Sequence, residues 1–183
     1  MTSTIIILMG VSGVGKTTVG QRLAQRLDID FLDGDDFHSP ANIAKMQRGE
    51  PLDEDDRTPW LESLQQLIQT LLAKDQGAVI ACSALRATYR QQLGHGGDRV
   101  SFVLLTGSAD LIRQRLRQRQ NHFMTAELLA SQLEALEAPA DSLVVDVDQT
   151  PAAIVQTILT KLNRTPAAPS PKAALSEAPL SEN

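Results

Sequence analysis

The sequence predicts an α/β domain in which a parallel sheet is covered by helices on both faces. Short apolar runs rich in β-branched residues alternate along the chain with segments of helical periodicity. The first of these runs ends in a glycine-rich turn that leads directly into a helical pattern. The 183 residues are 42% hydrophobic and only 3% aromatic, which suits one domain with an aliphatic core.

The elements of the first half follow from periodicity and helix-boundary residues. "TIIILM" is typical of a buried strand, and Val19, Leu23 and Leu27 recur at helical spacing. Ser39 and Pro40 suit an N-cap and a first helical position. The predicted elements are a strand at Thr4–Met9, a helix at Lys16–Leu27, a strand at Phe31–Asp33, a helix from Pro40 to Gly49 and a helix at Pro59–Lys74.

The second half continues the same alternation. Because parallel sheets bind ligands at the carboxyl ends of their strands, the residues that follow each strand are candidates for a site. The predicted elements are strands at Ala78–Leu85, Arg99–Gly107 and Ser142–Asp148, with helices at Ala87–Leu93, Ala109–Arg119, Thr125–Leu136 and Pro151–Leu162.

Composition indicates one domain over residues 1–163, followed by a tail at 164–183. The tail is rich in Pro, Ala and Ser and has few large apolar residues to bury. This composition predicts disorder. A net charge of −5 argues against a nucleic-acid partner. The single cysteine, Cys82, and the lack of a secretion signal or an 18-residue apolar run predict a cytoplasmic protein with no membrane partner.

The segment "GVSGVGKT" matches the phosphate-loop pattern G-x-x-x-x-G-K-[ST] at every fixed position. Glycines allow a tight turn whose amide groups face one anion, and the following helix adds its positive end. Lys16 can reach the β- and γ-phosphates, and Thr17 can bind Mg²⁺. The predicted ATP-binding residues here are Gly10, Val11, Ser12, Gly13, Val14, Gly15, Lys16, Thr17 and Thr18.

The loop identifies a nucleotide but leaves its use open. A guanine-reading N-K-x-D segment and a D-x-x-G switch turn are both missing from the sequence, which argues against a GTPase. A transport ATPase would need a longer chain. The sequence therefore favours a kinase of small molecules, and a non-catalytic nucleotide-binding regulator remains as the alternative.

Acidic residues follow the second predicted strand, in "FLDGDDFH". Residues two apart in an extended segment share a face, so Asp33 and Asp35 can point the same way. We expect Asp33 to belong to the Mg²⁺ shell and Asp35 to accept the proton of the attacking hydroxyl. The alternative is a solvated acidic turn that caps a helix.

Arginines supply the candidate anion-binding groups. Arg57 follows four acids at 53–56, which are either part of a substrate clamp or the first turn of a helix with Pro59 at its first position. Arg90 lies just after a predicted central strand. Arg115 and Arg119 are four residues apart on one helical face, where they can close over ATP and stabilise charge on the transferred group.

These segments together resemble the gluconate kinases, which are phosphate-loop kinases similar in layout to shikimate and adenylate kinases. The resemblance covers about Ile5–Leu162 and is carried by "GVSGVGKT", "DGDDFHSPANIAKMQRGEPLDEDDRTPWL", "CSALRATYR", "HFM", "SQLEALEAP" and "VVDVDQTP". It implies transfer of the ATP γ-phosphate to the 6-hydroxyl of D-gluconate, for the pentose phosphate or Entner–Doudoroff routes. It also implies a three-layer α/β/α fold, a helical lid at about 119–125 and a homodimer. A kinase of another small acid, such as shikimate, on the same scaffold is the alternative.

The resemblance also implies roles for individual residues. Lys16, Asp35 and Arg119 would be catalytic, and Thr17 and Asp33 would hold the metal. The adenine would lie near Gln149 and Pro151, with Arg115 and Arg119 over the phosphates. The residues expected to bind the sugar acid are Asp35, His38, Arg57, Arg90 and His122, while the roles of Lys45 and Gln132 are left open.

Overall fold

The computed structural model describes residues 4–118, 126–137, 139 and 142–163. Within them, five strands form one parallel sheet in the order β2-β3-β1-β4-β5. The strands are β1 (Ile5–Met9), β2 (Asp30–Asp33), β3 (Ala78–Ala81), β4 (Val100–Thr106) and β5 (Leu143–Asp146).

Helices connect the strands and cover both faces of the sheet. Short 3₁₀ helices at Gly34–Phe37 and Gly94–Arg99 follow β2 and precede β4. The α-helices are α1 (Lys16–Leu27), α2 (Pro40–Gln47), α3 (Glu54–Ala73), α4 (Ala87–Leu93), α5 (Ala109–Gln118), α6 (Ala126–Ala135) and α7 (Pro151–Lys161).

The central strand β1 is buried along its whole length and divides the core in two. Ile6 and Leu8 pack with apolar residues of α1 and α7, whereas Ile5 and Ile7 pack with those of α3 and α4. This arrangement follows from the period of two in a strand, because alternate side chains point to opposite faces. The predicted three-layer α/β/α fold is confirmed.

Helix α3 begins at Glu54, five residues before the predicted start at Pro59. The N-cap is Asp53, whose side chain accepts from the Asp56 amide while the Asp56 side chain accepts from the Asp53 amide. This reciprocal capping box satisfies two amide groups and begins the helix before the proline. Pro59 lies inside the helix, so its prediction as a first helical residue was wrong.

Strands β3 and β5 also end earlier than predicted by at least two residues, at Ala81 and Asp146, while β1 and β4 differ from prediction by one residue at one or both ends. The residues after β3 leave the strand conformation, and Ala84 takes a positive φ of 40°. None of the helices among the described residues is both long and apolar enough to cross a membrane.

Candidate active site

The phosphate loop connects the buried end of β1 to the N-terminus of α1. Gly10 and Gly13 have φ values of 131° and 85°, in the region that favours glycine. A Cβ on Gly10 would lie 2.5 Å from the Leu105 carbonyl oxygen. Gly15 is the N-cap of α1 and, lacking a side chain, leaves the first amide groups of that helix available for an anion.

The Lys16 side chain folds back over this loop. Its Nζ donates to the carbonyl oxygens of Gly10 at 2.8 Å and Val11 at 3.1 Å. The ammonium group is therefore held beside the amide groups that would bind phosphate, where its positive charge favours an anion. The contact of Lys16 with the phosphates stays a prediction.

Thr17 and Asp33 meet at the carboxyl ends of β1 and β2. The Thr17 hydroxyl donates to Asp33 Oδ2 at 3.0 Å, and Asp33 Oδ1 accepts from the Asp35 amide at 3.2 Å. A hydroxyl and a carboxylate are hard oxygen donors, and Mg²⁺ commonly binds one or two protein oxygens and completes its shell with water and phosphate. The pair fits the predicted metal position. Among the described residues, no cluster of three or more metal-binding side chains is found.

Asp35 lies in the 3₁₀ helix after β2 and lines a cavity together with Lys16 and Arg57. Burial raises the pKa of the Asp35 carboxyl above its ordinary value; nearby Lys16 opposes this shift, while Asp33 and Asp36 add to it. A carboxylate with a raised pKa is a stronger proton acceptor than an ordinary aspartate, which suits a general base.

His38 and Trp60 form a stacked pair in the same cavity. Their ring centroids are 4.5 Å apart with an interplanar angle of 12°. Trp60 Nε1 donates to the Gly34 carbonyl oxygen at 2.7 Å and so fastens α3 to the segment that carries Asp35. Burial, assisted by Arg57, lowers the pKa of His38 to about 4, which keeps the ring neutral at physiological pH.

Glu54 contacts three of the polar side chains that line this cavity. Tyr89 donates its hydroxyl to both carboxylate oxygens at 2.7 and 2.9 Å, and Arg86 and Arg57 approach one oxygen at 2.8 and 3.2 Å. The Tyr89 hydrogen bond, then the two arginines, lower the pKa of Glu54 against the effect of burial. Of the acids at 53–56, Asp53 and Asp56 thus cap α3, while Glu54 contacts three side chains that line the cavity.

Arg90 occupies a different position from Arg57. Its guanidinium donates to the carbonyl oxygens of Ala84 and Leu85 at 3.1 and 3.0 Å, and burial lowers its pKa. Arg86, four residues earlier, is the N-cap of α4, and it lines the cavity. The role of Arg90 in binding a sugar acid stays a prediction.

A second cavity, called the nucleotide cavity below, lies on the other side of the phosphate loop. Arg115 joins the loop to the end of β5 by donating to the Val14 oxygen at 3.0 Å and the Val147 oxygen at 2.7 Å. Part of the predicted nucleotide set lines this cavity, whereas Ser12 and Lys16 line the first one. The lining residues are Gly13, Val14, Gly15, Thr18, Val19, Arg115, Gln118, Gln149, Pro151 and Ile154.

Arg119, His122 and the predicted lid at 119–125 lie outside the described residues. Sequence reasoning missed the individual role of Glu54, the stacking of Trp60 on His38 and the contact between Gln132 and the phosphate loop. Glu54 could not be distinguished from its acidic neighbours, because its partners Arg86 and Tyr89 are 32 and 35 residues away.

A parallel sheet with a phosphate loop between two cavities, one of them lined by a carboxylate of raised pKa and by two arginines, defines a phosphate-loop kinase of a small molecule. Residues 5–139 match the family model described as an AAA domain. The thermoresistant gluconokinase of Escherichia coli K12 is 44% identical over 149 residues, which cover 79% of this chain and 85% of that relative.

Two solved structures agree with this relationship. A gluconokinase from Sinorhizobium meliloti 1021 is 37% identical with a TM-score of 0.80, covering 97% of this chain and 99% of that one. An unliganded sugar kinase from Janibacter sp. HTCC2649 is 42% identical with a TM-score of 0.83, covering 91% and 96%. The chain belongs to the gluconokinase family.

Proposed function

We propose that this chain transfers the γ-phosphoryl group of ATP to O6 of D-gluconate, producing 6-phosphogluconate and ADP. The observation that carries the proposal is the placement of Lys16 and Asp35 in one cavity with Arg57 and Arg86, directly beside the phosphate loop. Relatives named gluconokinases, 40–47% identical to this chain, support gluconate as the acceptor.

The cavity lined by Asp35, Arg57 and Arg86, called the acceptor cavity below, suits an open-chain sugar acid. Gluconate has one carboxylate and five hydroxyl groups, so it needs a cation at one end and hydrogen-bonding groups along its length. Arg57 and Arg86 supply the cations, and Tyr89, Ser83 and neutral His38 lie in the same wall. A site built from such groups rejects analogues that leave them unpaired.

The transfer step follows from these positions. The O6 hydroxyl loses its proton to Asp35 as the bond from O6 to the γ-phosphorus forms, and the bond from that phosphorus to the bridging β-phosphate oxygen breaks. Lys16 and the loop amide groups hold the phosphates and stabilise the charge that develops on them. Thr17 and Asp33 would hold Mg²⁺, which neutralises phosphate charge when bound.

We further propose a cytoplasmic homodimer with no nucleic-acid or membrane partner. The only cysteine, Cys82, is buried and burial raises its pKa to about 12, which suits a reducing compartment without requiring one. The net charge of −5 disfavours binding to nucleic acid. Light scattering of the purified protein would measure the mass, and a monomer at micromolar concentration would contradict the dimer.

The function is tested by incubating the protein with ATP, Mg²⁺ and a panel of acids that includes gluconate, shikimate and other aldonates. We expect ADP release that depends on gluconate, with phosphorus NMR showing a phosphate ester on C6. Lys16→Ala is the matched control and should abolish transfer. ADP release with another acid but not with gluconate would make that acid the substrate. No ADP release with any acid would favour the nucleotide-binding regulator.

A further inference from the structure

One amide group of the phosphate loop is already bound to a side chain. The Ser12 amide donates to Gln132 Oε1 at 2.7 Å, across a separation of 120 residues. Gln132 lies on α6, the helix that follows the segment at 119–125. The contact is short for an N–H···O bond, whose usual length is about 2.9–3.0 Å.

The Ser12 amide belongs to the side of the loop where transfer must occur. Ser12 and Gln132 both line the acceptor cavity, whereas Gly13, Gly15 and Thr18 line the nucleotide cavity. A phosphoryl group that passes from nucleotide to acceptor must lie between the two cavities. The amide of Ser12 therefore faces the position of the terminal phosphate, and Gln132 Oε1 takes the place of a phosphate oxygen.

Helix α6 is also fastened to the opposite wall of the acceptor cavity. Just past its end, the Glu137 amide donates to the Leu85 oxygen at 2.9 Å, and Glu137 Oε2 accepts from the Ala87 amide at 2.7 Å. A change at Gln132 therefore acts on a helix that contacts both the phosphate loop and the segment after β3.

We propose that Gln132 is a positioning residue that senses the terminal phosphate of the nucleotide. Without a triphosphate, its side-chain oxygen occupies the Ser12 amide and holds α6 against the loop. A terminal phosphate oxygen takes over that amide and releases the Gln132 side chain into the acceptor cavity. This inference rests on the proposed function for the direction of transfer.

The two states of Gln132 predict opposite effects for two substitutions. Gln132→Leu removes the competing oxygen at nearly equal volume, so a non-hydrolysable ATP analogue should bind about two- to tenfold more tightly, the range of one net hydrogen bond. Gln132→Glu keeps an oxygen on the Ser12 amide and adds a negative charge beside the terminal phosphate. It should weaken the analogue by about tenfold or more.

The experiment is calorimetric titration of wild-type protein and both variants with Mg²⁺ and either AMPPNP or ADP, without any acid. The measured quantity is the ratio of the ADP dissociation constant to the AMPPNP dissociation constant. We expect this ratio to rise in Gln132→Leu and to fall in Gln132→Glu. Glu134→Gln, on the exposed side of the same helix, is the matched control and should leave the ratio unchanged.

A ratio that stays constant in both variants, or moves in the same direction in both, overturns the inference. If one variant does not fold, the sign of the change in the other decides. The test contains no acceptor, so it is separate from the proposed function. If the protein phosphorylates gluconate but the ratio of dissociation constants does not change in the variants, only this inference is rejected. If the ratio changes but gluconate is not phosphorylated, only the proposed function is rejected.

Discussion

The ionised side chain of Asp35 is expected to serve activity but to lower the stability of the fold. Its carboxyl group, which is partly removed from water by the surrounding protein, has a raised pKa, so ionisation is less favourable in the folded protein than in the unfolded chain. The folded state therefore binds more protons, and stability falls as the pH rises from 3.8 through the raised pKa of the folded state. At neutral pH the ionised form needed by a base destabilises the fold.

The substitution Asp35→Asn separates these effects. We expect turnover with gluconate to fall by roughly 10²–10⁴-fold, the usual contribution of a general base, with ATP binding retained. The melting temperature at pH 7 should rise, and this gain should shrink as the pH approaches 3.8, where an ordinary aspartate is half protonated. Unchanged turnover would remove Asp35 from the role of base, whatever its effect on melting.

His38 gives the opposite dependence on pH. Its pKa is about 4 in the folded protein against 6.5 ordinarily, because burial disfavours the charged ring. The unfolded chain binds more protons between these values, so stability should decline as the pH falls from 6.5 towards 4. Melting curves of wild type and His38→Asn measure this, and the variant should show the smaller decline. Parallel curves would mean that His38 ionises normally.

At the scale of elements, Glu54 couples α3 to α4. Its carboxylate, about half exposed, accepts from Tyr89 and pairs with Arg57 and Arg86. The substitution Glu54→Ala should leave both arginines less well oriented and raise the KM for gluconate several-fold, in keeping with the modest strength of exposed ion pairs of about 0.2–1 kcal/mol. The turnover number should change little, because the reacting groups are elsewhere.

The matched control is Glu62→Ala, which removes an exposed carboxylate from the same helix. Steady-state kinetics at saturating ATP compares the three proteins. An unchanged KM in Glu54→Ala would show that the arginines need no carboxylate between them. An equal rise in Glu62→Ala would attribute the effect to the net charge of α3.

The elements that sequence predicted well are those whose signals are local. Helices α1 and α4 begin and end as expected, because their apolar spacing and boundary residues are adjacent in the chain. The start of α3 was missed, since Pro59 was given more weight than the reciprocal cap of Asp53 and Asp56. The Glu54 cluster and the Gln132 contact depend on residues 32 to 120 positions apart, which only the packed sheet brings together.

On the scale of the whole molecule, every described element ends by Lys161. A chain that ends at Asn163 retains α7, whose Ile154 and Ile158 are buried in the core beside α1. We expect this truncated chain to match the full chain in melting temperature and in kcat/KM for gluconate. Lower activity at equal stability would assign the residues at 164–183 a part in catalysis or assembly.

The stacking of His38 on Trp60 makes this tryptophan an intrinsic fluorescence probe of the acceptor cavity. The chain has one tryptophan, so its entire indole emission comes from the wall of the acceptor cavity. A protonated imidazole quenches indole fluorescence by accepting an electron, so emission should dim as the solution is acidified towards pH 4. Gluconate should shift the emission because it changes the polarity beside the stacked His38 and Trp60 rings, whereas nucleotide alone should change it far less. Stopped-flow fluorimetry could then follow acceptor arrival in the unlabelled protein, and an emission indifferent to gluconate would place the sugar acid away from this wall.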